Sequence, residues 1–84
     1  MNKKIHIQDL EQWDVFFMDY NGHYEKFVVL NILENEGYLI RQLYNKEPNI
    51  FLSINNTTKK ELFYHKHLGL LERILLWFTD GLSE

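Results

Sequence analysis

The chain has no cysteine and no alanine, and it carries one proline and four glycines in 84 residues. Without cysteine there is neither a disulfide framework nor a thiolate ligand, so stability has to come from packing, and a reducing cytoplasm is the expected location. The missing alanine, beside abundant Asn, Ile, Lys, Phe and Tyr, has the look of an AT-rich coding sequence. That bias associates the chain with low-GC bacteria and their phages or mobile elements, where short standalone domains are common. Positive charge is also scarce. Nine Lys and Arg against twelve Asp and Glu give a net charge of −3, which argues against a nucleic-acid-binding module built on clustered cations. No apolar run is long enough for a secretory signal or a membrane span, since the greasiest stretch is Ile74 to Phe78; no membrane contact is expected.

The glycines, at positions 22, 37, 69 and 81, are isolated, so no phosphate-cradling loop exists. None of the twelve carboxylates stands in a Ser-centred or His-paired pattern that would mark nucleophilic chemistry. The expectation is therefore no enzyme, no catalytic residues and no cofactor. His65-x-His67 could set two imidazoles on one strand face, with His6 and His23 as further ligands. Nothing completes the set at a metal-ligand offset, so no metal site is assigned.

What is present is apolar: 45% of the residues, including two Trp, five Tyr and six Phe, a content that disordered chains do not have. A single α+β domain over 1–84 is expected. Asn21-Gly22 between two β-forming runs reads as a two-residue type I′ hairpin, which sets Phe16 opposite Phe27 and Val15 opposite Val28. A helix over 9–20 competes, because Leu10, Trp13, Phe17 and Tyr20 also fit helical spacing. The strand Lys26 to Leu33 has Phe27, Val29 and Leu33 on one face and Val28, Leu30 and Ile32 on the other, apolar on both as in a central strand. Glu34 to Gly37 is a turn, Tyr38 to Tyr44 a third strand, Pro48 lies in a connection, and Ile50 to Asn55 is a fourth strand.

Thr58 and Glu61 match a capping box. Tyr64, Leu68, Leu71, Leu75, Phe78 and Leu82 then form a stripe of helical spacing, ended by Gly81. Gly69 is unfavourable inside a helix, which leaves open a fifth strand over Glu61 to His65 with the helix starting near Lys66. The predicted fold is an antiparallel β-meander of four or five strands followed by a C-terminal amphipathic helix packed on the sheet.

This chain holds more apolar surface than one helix on one sheet can cover, so a homodimer or an obligate protein partner is expected. Five acids and no Lys or Arg lie between Gln8 and Glu25, an arm that could dock a basic groove. The expected function is a non-enzymatic protein-protein interaction module, such as a phage or mobile-element inhibitor or regulator of a host protein. Its partner-binding residues are Asp14, Asp19 and Glu25 on the hairpin, and the exposed helix positions Glu72, Arg73, Leu76 and Trp77; Leu70, Ile74 and Trp77 widen the helical stripe, and Leu76 lies among Glu72, Arg73 and Asp80 on what should be the wet side. Two other readings stand beside it: a small-ligand or metal-binding regulatory domain using the histidines, and a nucleic-acid-binding module stacking bases on sheet aromatics.

Overall fold

The computed structural model describes residues 3–44, 48–54 and 61–80. Among them, six strands form one antiparallel sheet and one helix follows. They are β1 (Lys3–Ile5), β2 (Asp14–Tyr20), β3 (His23–Leu33), β4 (Gly37–Gln42), β5 (Ile50–Ser53), β6 (Leu62–His67) and α1 (Leu70–Asp80), with a short 3₁₀ turn at Ile7–Asp9. The α+β class and the meander with a C-terminal helix are as predicted. The strand count is not: β1 was not foreseen, because three residues, two of them lysine, carry no alternating pattern.

Asn21 and Gly22 both take positive φ, 55° and 87°, as the two-residue primed turn requires. Phe16 pairs with Phe27 and Val15 with Val28, so the competing helix over 9–20 is excluded. β2, β3, β4 and β5 run as a meander, and β6 returns to the free edge of β2 with β1 outside it. The capping-box Thr58 lies outside the described residues. Glu61 instead leads into β6, and the helix begins at Leu70 rather than near Lys66. The sequence stripe from Tyr64 to Phe78 thus runs across a strand, a loop and a helix, and its regular spacing is coincidental.

Two bulges decide which side chains share a face. In β3 the pairing with β4 steps from Val29–Ile40 to Asn31–Leu39, leaving Leu30 as the extra residue, and Gln12 Nε2 donates to the Leu30 carbonyl at 2.8 Å. Beyond the bulge Ile32 stands opposite Tyr38, so it moves from the Val28 and Leu30 face, where strict alternation would put it, to the face of Val29 and Ile40. Both Ile32 and Leu33 are largely exposed. In β6 the pairing with β2 steps from Phe16–Tyr64 to Val15–Lys66. His65 is the extra residue there, and it comes to lie beside Lys66.

One face of the sheet holds Phe16, Met18, Phe27, Val29, Tyr38, Ile40, Leu52 and Leu62, with Ile7 and Leu10 of the N-terminal segment packed into it. Ile5 from one edge of the sheet and Ile50 from the other join the same cluster, so the sheet is curled about this core. Burial raises the Tyr38 hydroxyl above its ordinary value, with the Asp9 carboxylate adding to the effect. The opposite face carries a smaller cluster of Val15, Val28, Leu30, Leu43 and Leu68, completed by Leu76 of α1.

Candidate binding surface

Helix α1 is held by its charged side. Gly69 N–H donates to Glu72 Oε1 at 3.4 Å, and Arg73 N–H closes the first turn on the Gly69 carbonyl. Glu72 sits three residues past Gly69, the back-bonding position of a capping box. Its other oxygen pairs with Lys66; the contact holds the Glu72 carboxyl below and the Lys66 ammonium above their ordinary values. The Arg73 guanidinium lies over the Trp13 ring, 4.9 Å from its centroid, a cation-π contact across from helix to sheet. Trp13 has positive φ (72°), and its backbone is fixed from both sides by Trp13 N–H to the Val29 carbonyl and Leu68 N–H to the Trp13 carbonyl. Between Glu72 and Arg73 on the helix surface, Leu76 enters the sheet cluster at 9% exposure.

With these three residues turned inward, the opposite side of α1 faces water. Leu70, Leu71, Ile74, Leu75, Trp77 and Phe78 are between 43% and 74% exposed. At 100° per residue they form an unbroken apolar arc of about 160°. Trp77 and Phe78 touch each other, with ring centroids 4.9 Å apart, and among the described residues no charged side chain interrupts the arc.

The expected orientation of the helix is therefore corrected. Leu71, Leu75 and Phe78, read as the buried stripe, are exposed; Leu76, read as a wet-side contact, is core. Periodicity reports that a helix has two unlike faces, but which face meets the sheet depends on what the sheet offers. Here that is Trp13 for a guanidinium, Lys66 for a carboxylate, and a leucine-sized gap. Of the helix residues expected to meet a partner, Trp77 alone is both exposed and apolar; Glu72 and Arg73 are spent on docking α1.

The hairpin residues separate in the same way. Asp14 is buried, at 4% exposure. Its Oδ2 accepts from Glu11 N–H at 2.9 Å, its N–H donates to the Glu11 carbonyl at 3.1 Å, and its Oδ1 accepts from His67 Nδ1 at 2.8 Å. It ties the turn before β2 to the end of β6 and is not available to a partner, which corrects that expectation. Glu25 is half-buried and accepts from Gln42 Nε2 at 3.1 Å, while Asp19 is exposed. The acidic arm presents less free charge than its sequence suggests.

Glu11, Asp14 and His67 are the described His, Asp and Glu side chains whose ligand atoms come together, within 4.8 Å of one another. One oxygen of Asp14 is already engaged by Glu11 N–H in the turn and the other by His67. His65 and His67 do not act as a pair: His67 bonds Asp14, whereas His65 meets the Phe17 ring edge-on at 5.4 Å. Burial raises the Tyr64 hydroxyl, helped by Asp14 and Glu11.

Compared with family models, with curated proteins and with solved structures, the chain matches none.

Proposed function

We propose that this chain is a non-enzymatic protein-protein interaction module whose working surface is the outward side of α1, and that the contact it makes there is with a second copy of itself. The observation that carries the reading is the apolar arc from Leu70 to Phe78. At their fractional exposures these six side chains leave on the order of 800 Å² in water, the area each partner contributes to an interface of standard size. A patch of this extent on a small domain is a contact surface rather than ordinary surface texture.

Self-pairing follows from the character of the patch. It contains no charge, so it carries no pattern that a charged partner would complement. A helix face can meet its own copy about a two-fold axis, leucine and aromatic side chains interdigitating. The net charge of −3 on each copy opposes association only weakly at physiological salt, where repulsion between exposed charges is screened beyond about 8 Å. A role as an inhibitor or regulator of another protein, expected from the sequence, is compatible with a dimer that displays Asp19 and the hairpin tip on each copy.

The test is sedimentation equilibrium of the whole chain and of a Leu71→Glu/Trp77→Glu double variant, whose substitutions lie at exposed positions. The wild type sediments as a dimer and the variant as a folded monomer. A wild type that stays monomeric at high concentration, or a variant that still dimerises, overturns the proposal.

A further inference from the structure

Beside the inner edge of α1 an open cleft of about 280 Å³ separates the helix from the sheet. Its floor is apolar, made by Val15, Leu43 and Leu68, and Leu76 and Leu75 line it from α1. Its rim carries two lysines and one carboxylate, Glu72. Lys26 and Lys66 both line it, and His65 stands beside Lys66 because of the β6 bulge, which sets on one wall two neighbours that strict alternation would send to opposite faces.

The two lysines are not equivalent. Lys66 is neutralised by Glu72. Lys26 lies near the rings of Phe17 and Tyr44, at 5.6 and 5.8 Å from their centroids, and among the described residues no carboxylate pairs with it. The rings hold its ammonium in place without cancelling its charge. Burial lowers the His65 imidazole below its ordinary value of 6.5, and Lys26 and Lys66 push it further in the same direction against the opposing Glu72. With Lys66 paired to Glu72, the charge left on this wall is the Lys26 ammonium.

We infer that the cleft is a binding site for a small organic monoanion, a carboxylate carrying an aromatic or short branched hydrocarbon group, with Lys26 holding the carboxylate and the leucine and valine floor holding the apolar end. The volume sets the size: it lies just under the roughly 300 Å³ at which sites for drug-sized ligands begin, so a single ring or a short chain fits better than a larger metabolite. The charge sets the sign, since one ammonium without a carboxylate partner disfavours a cation and can neutralise one negative charge, while a second charge would sit uncompensated over an apolar floor. This inference does not depend on self-pairing through α1: Lys26, which supplies the charge, is on β3, and of the outer arc Leu75 alone also lines the cleft.

The experiment uses benzoate as the probe and benzamide as its neutral counterpart of the same shape, followed by amide chemical shifts of the labelled chain. Benzoate is expected to give saturable shifts concentrated at Lys26, His65, Lys66 and Leu76. Benzamide, and benzoate with a Lys26→Met variant that keeps the aliphatic stem, should each bind about tenfold more weakly, the loss expected for one charge-assisted contact of about 1.4 kcal/mol. Unchanged spectra of Lys26→Met away from the hairpin establish that the variant is folded. The Trp77→Glu variant should bind benzoate as the wild type does, which separates this site from the helix surface. Shifts that do not saturate, shifts confined to α1's outer residues, or equal affinity for benzoate and benzamide overturn the inference.

Discussion

The inverted helix makes a prediction that its sequence alone would reverse. Truncating Leu76 should destabilise the fold, whereas truncating Phe78, the larger side chain, should leave the isolated protomer almost unaffected. Leu76 is 9% exposed and packs among Val15, Val28, Leu30, Leu43 and Leu68, whereas Phe78 is 74% exposed. Leucine-to-alanine changes in cores cost about 2–5 kcal/mol. Leu76 borders an open cleft into which water can follow the lost atoms, so the cost belongs at the lower end, about 2 kcal/mol. In a domain of this size that is a fall in Tm of roughly 8–16 °C. Phe78→Ala should stay within about 0.5 kcal/mol, as surface changes do. Urea unfolding at low protein concentration measures both, read as a shift of midpoint at unchanged slope. Raising the concentration adds a discriminating axis. If the outer arc pairs, the wild type gains stability with concentration and Phe78→Ala gains less, while the deficit of Leu76→Ala is the same throughout. A larger loss for Phe78→Ala than for Leu76→Ala at the lowest concentration would refute the reasoning, because it would mean that the outer stripe is the buried one.

Other residues give sharper local tests. Asp14→Ala removes the acceptor for Glu11 N–H and His67 from a buried position and should cost about 1–3 kcal/mol in the same unfolding assay; Asp19→Ala, fully at the surface, should cost nothing measurable. Gly37→Ala would place a methyl carbon 2.2 Å from the Leu52 carbonyl oxygen and 2.9 Å from the Phe51 ring. It should separate β4 from β5 and speed amide exchange there. Acid should weaken the fold through His65. The folded state holds this imidazole below its ordinary value, so the unfolded chain binds the proton more readily. Stability is then complete above about 6.5, falls as pH drops below it, and flattens once pH is under the folded value. His65→Phe should remove that part of the pH dependence, and a midpoint that still follows the same curve would assign it elsewhere.

Much of the sheet was legible in the sequence because its determinants are local. Asn21-Gly22 supplies positive φ at both turn positions, which fixes the β2–β3 register to the residue, and the apolar runs on either side then have to pair. The β1 strand was not legible: Lys3-Lys4-Ile5 has no alternation of its own and is a strand only because β6 offers an edge. The bulges at Leu30 and His65 were equally hidden. Each depends on a partner strand, and each moves a following side chain to a face that alternation would not give it, Ile32 in one case and Lys66 in the other.

The sequence by itself determined that the chain has more apolar side chain than one sheet and one helix can hide, and that the helix has two unlike faces. Only the tertiary structure decided which face is hidden. A helix docks by the side that finds partners. Trp13 under Arg73, Lys66 against Glu72, and a gap of leucine size for Leu76 come from segments distant in sequence, brought together by β6 returning to β2. Their combined specificity outweighs the larger but undirected attraction of Leu70, Leu71, Ile74, Leu75, Trp77 and Phe78, which are left in water.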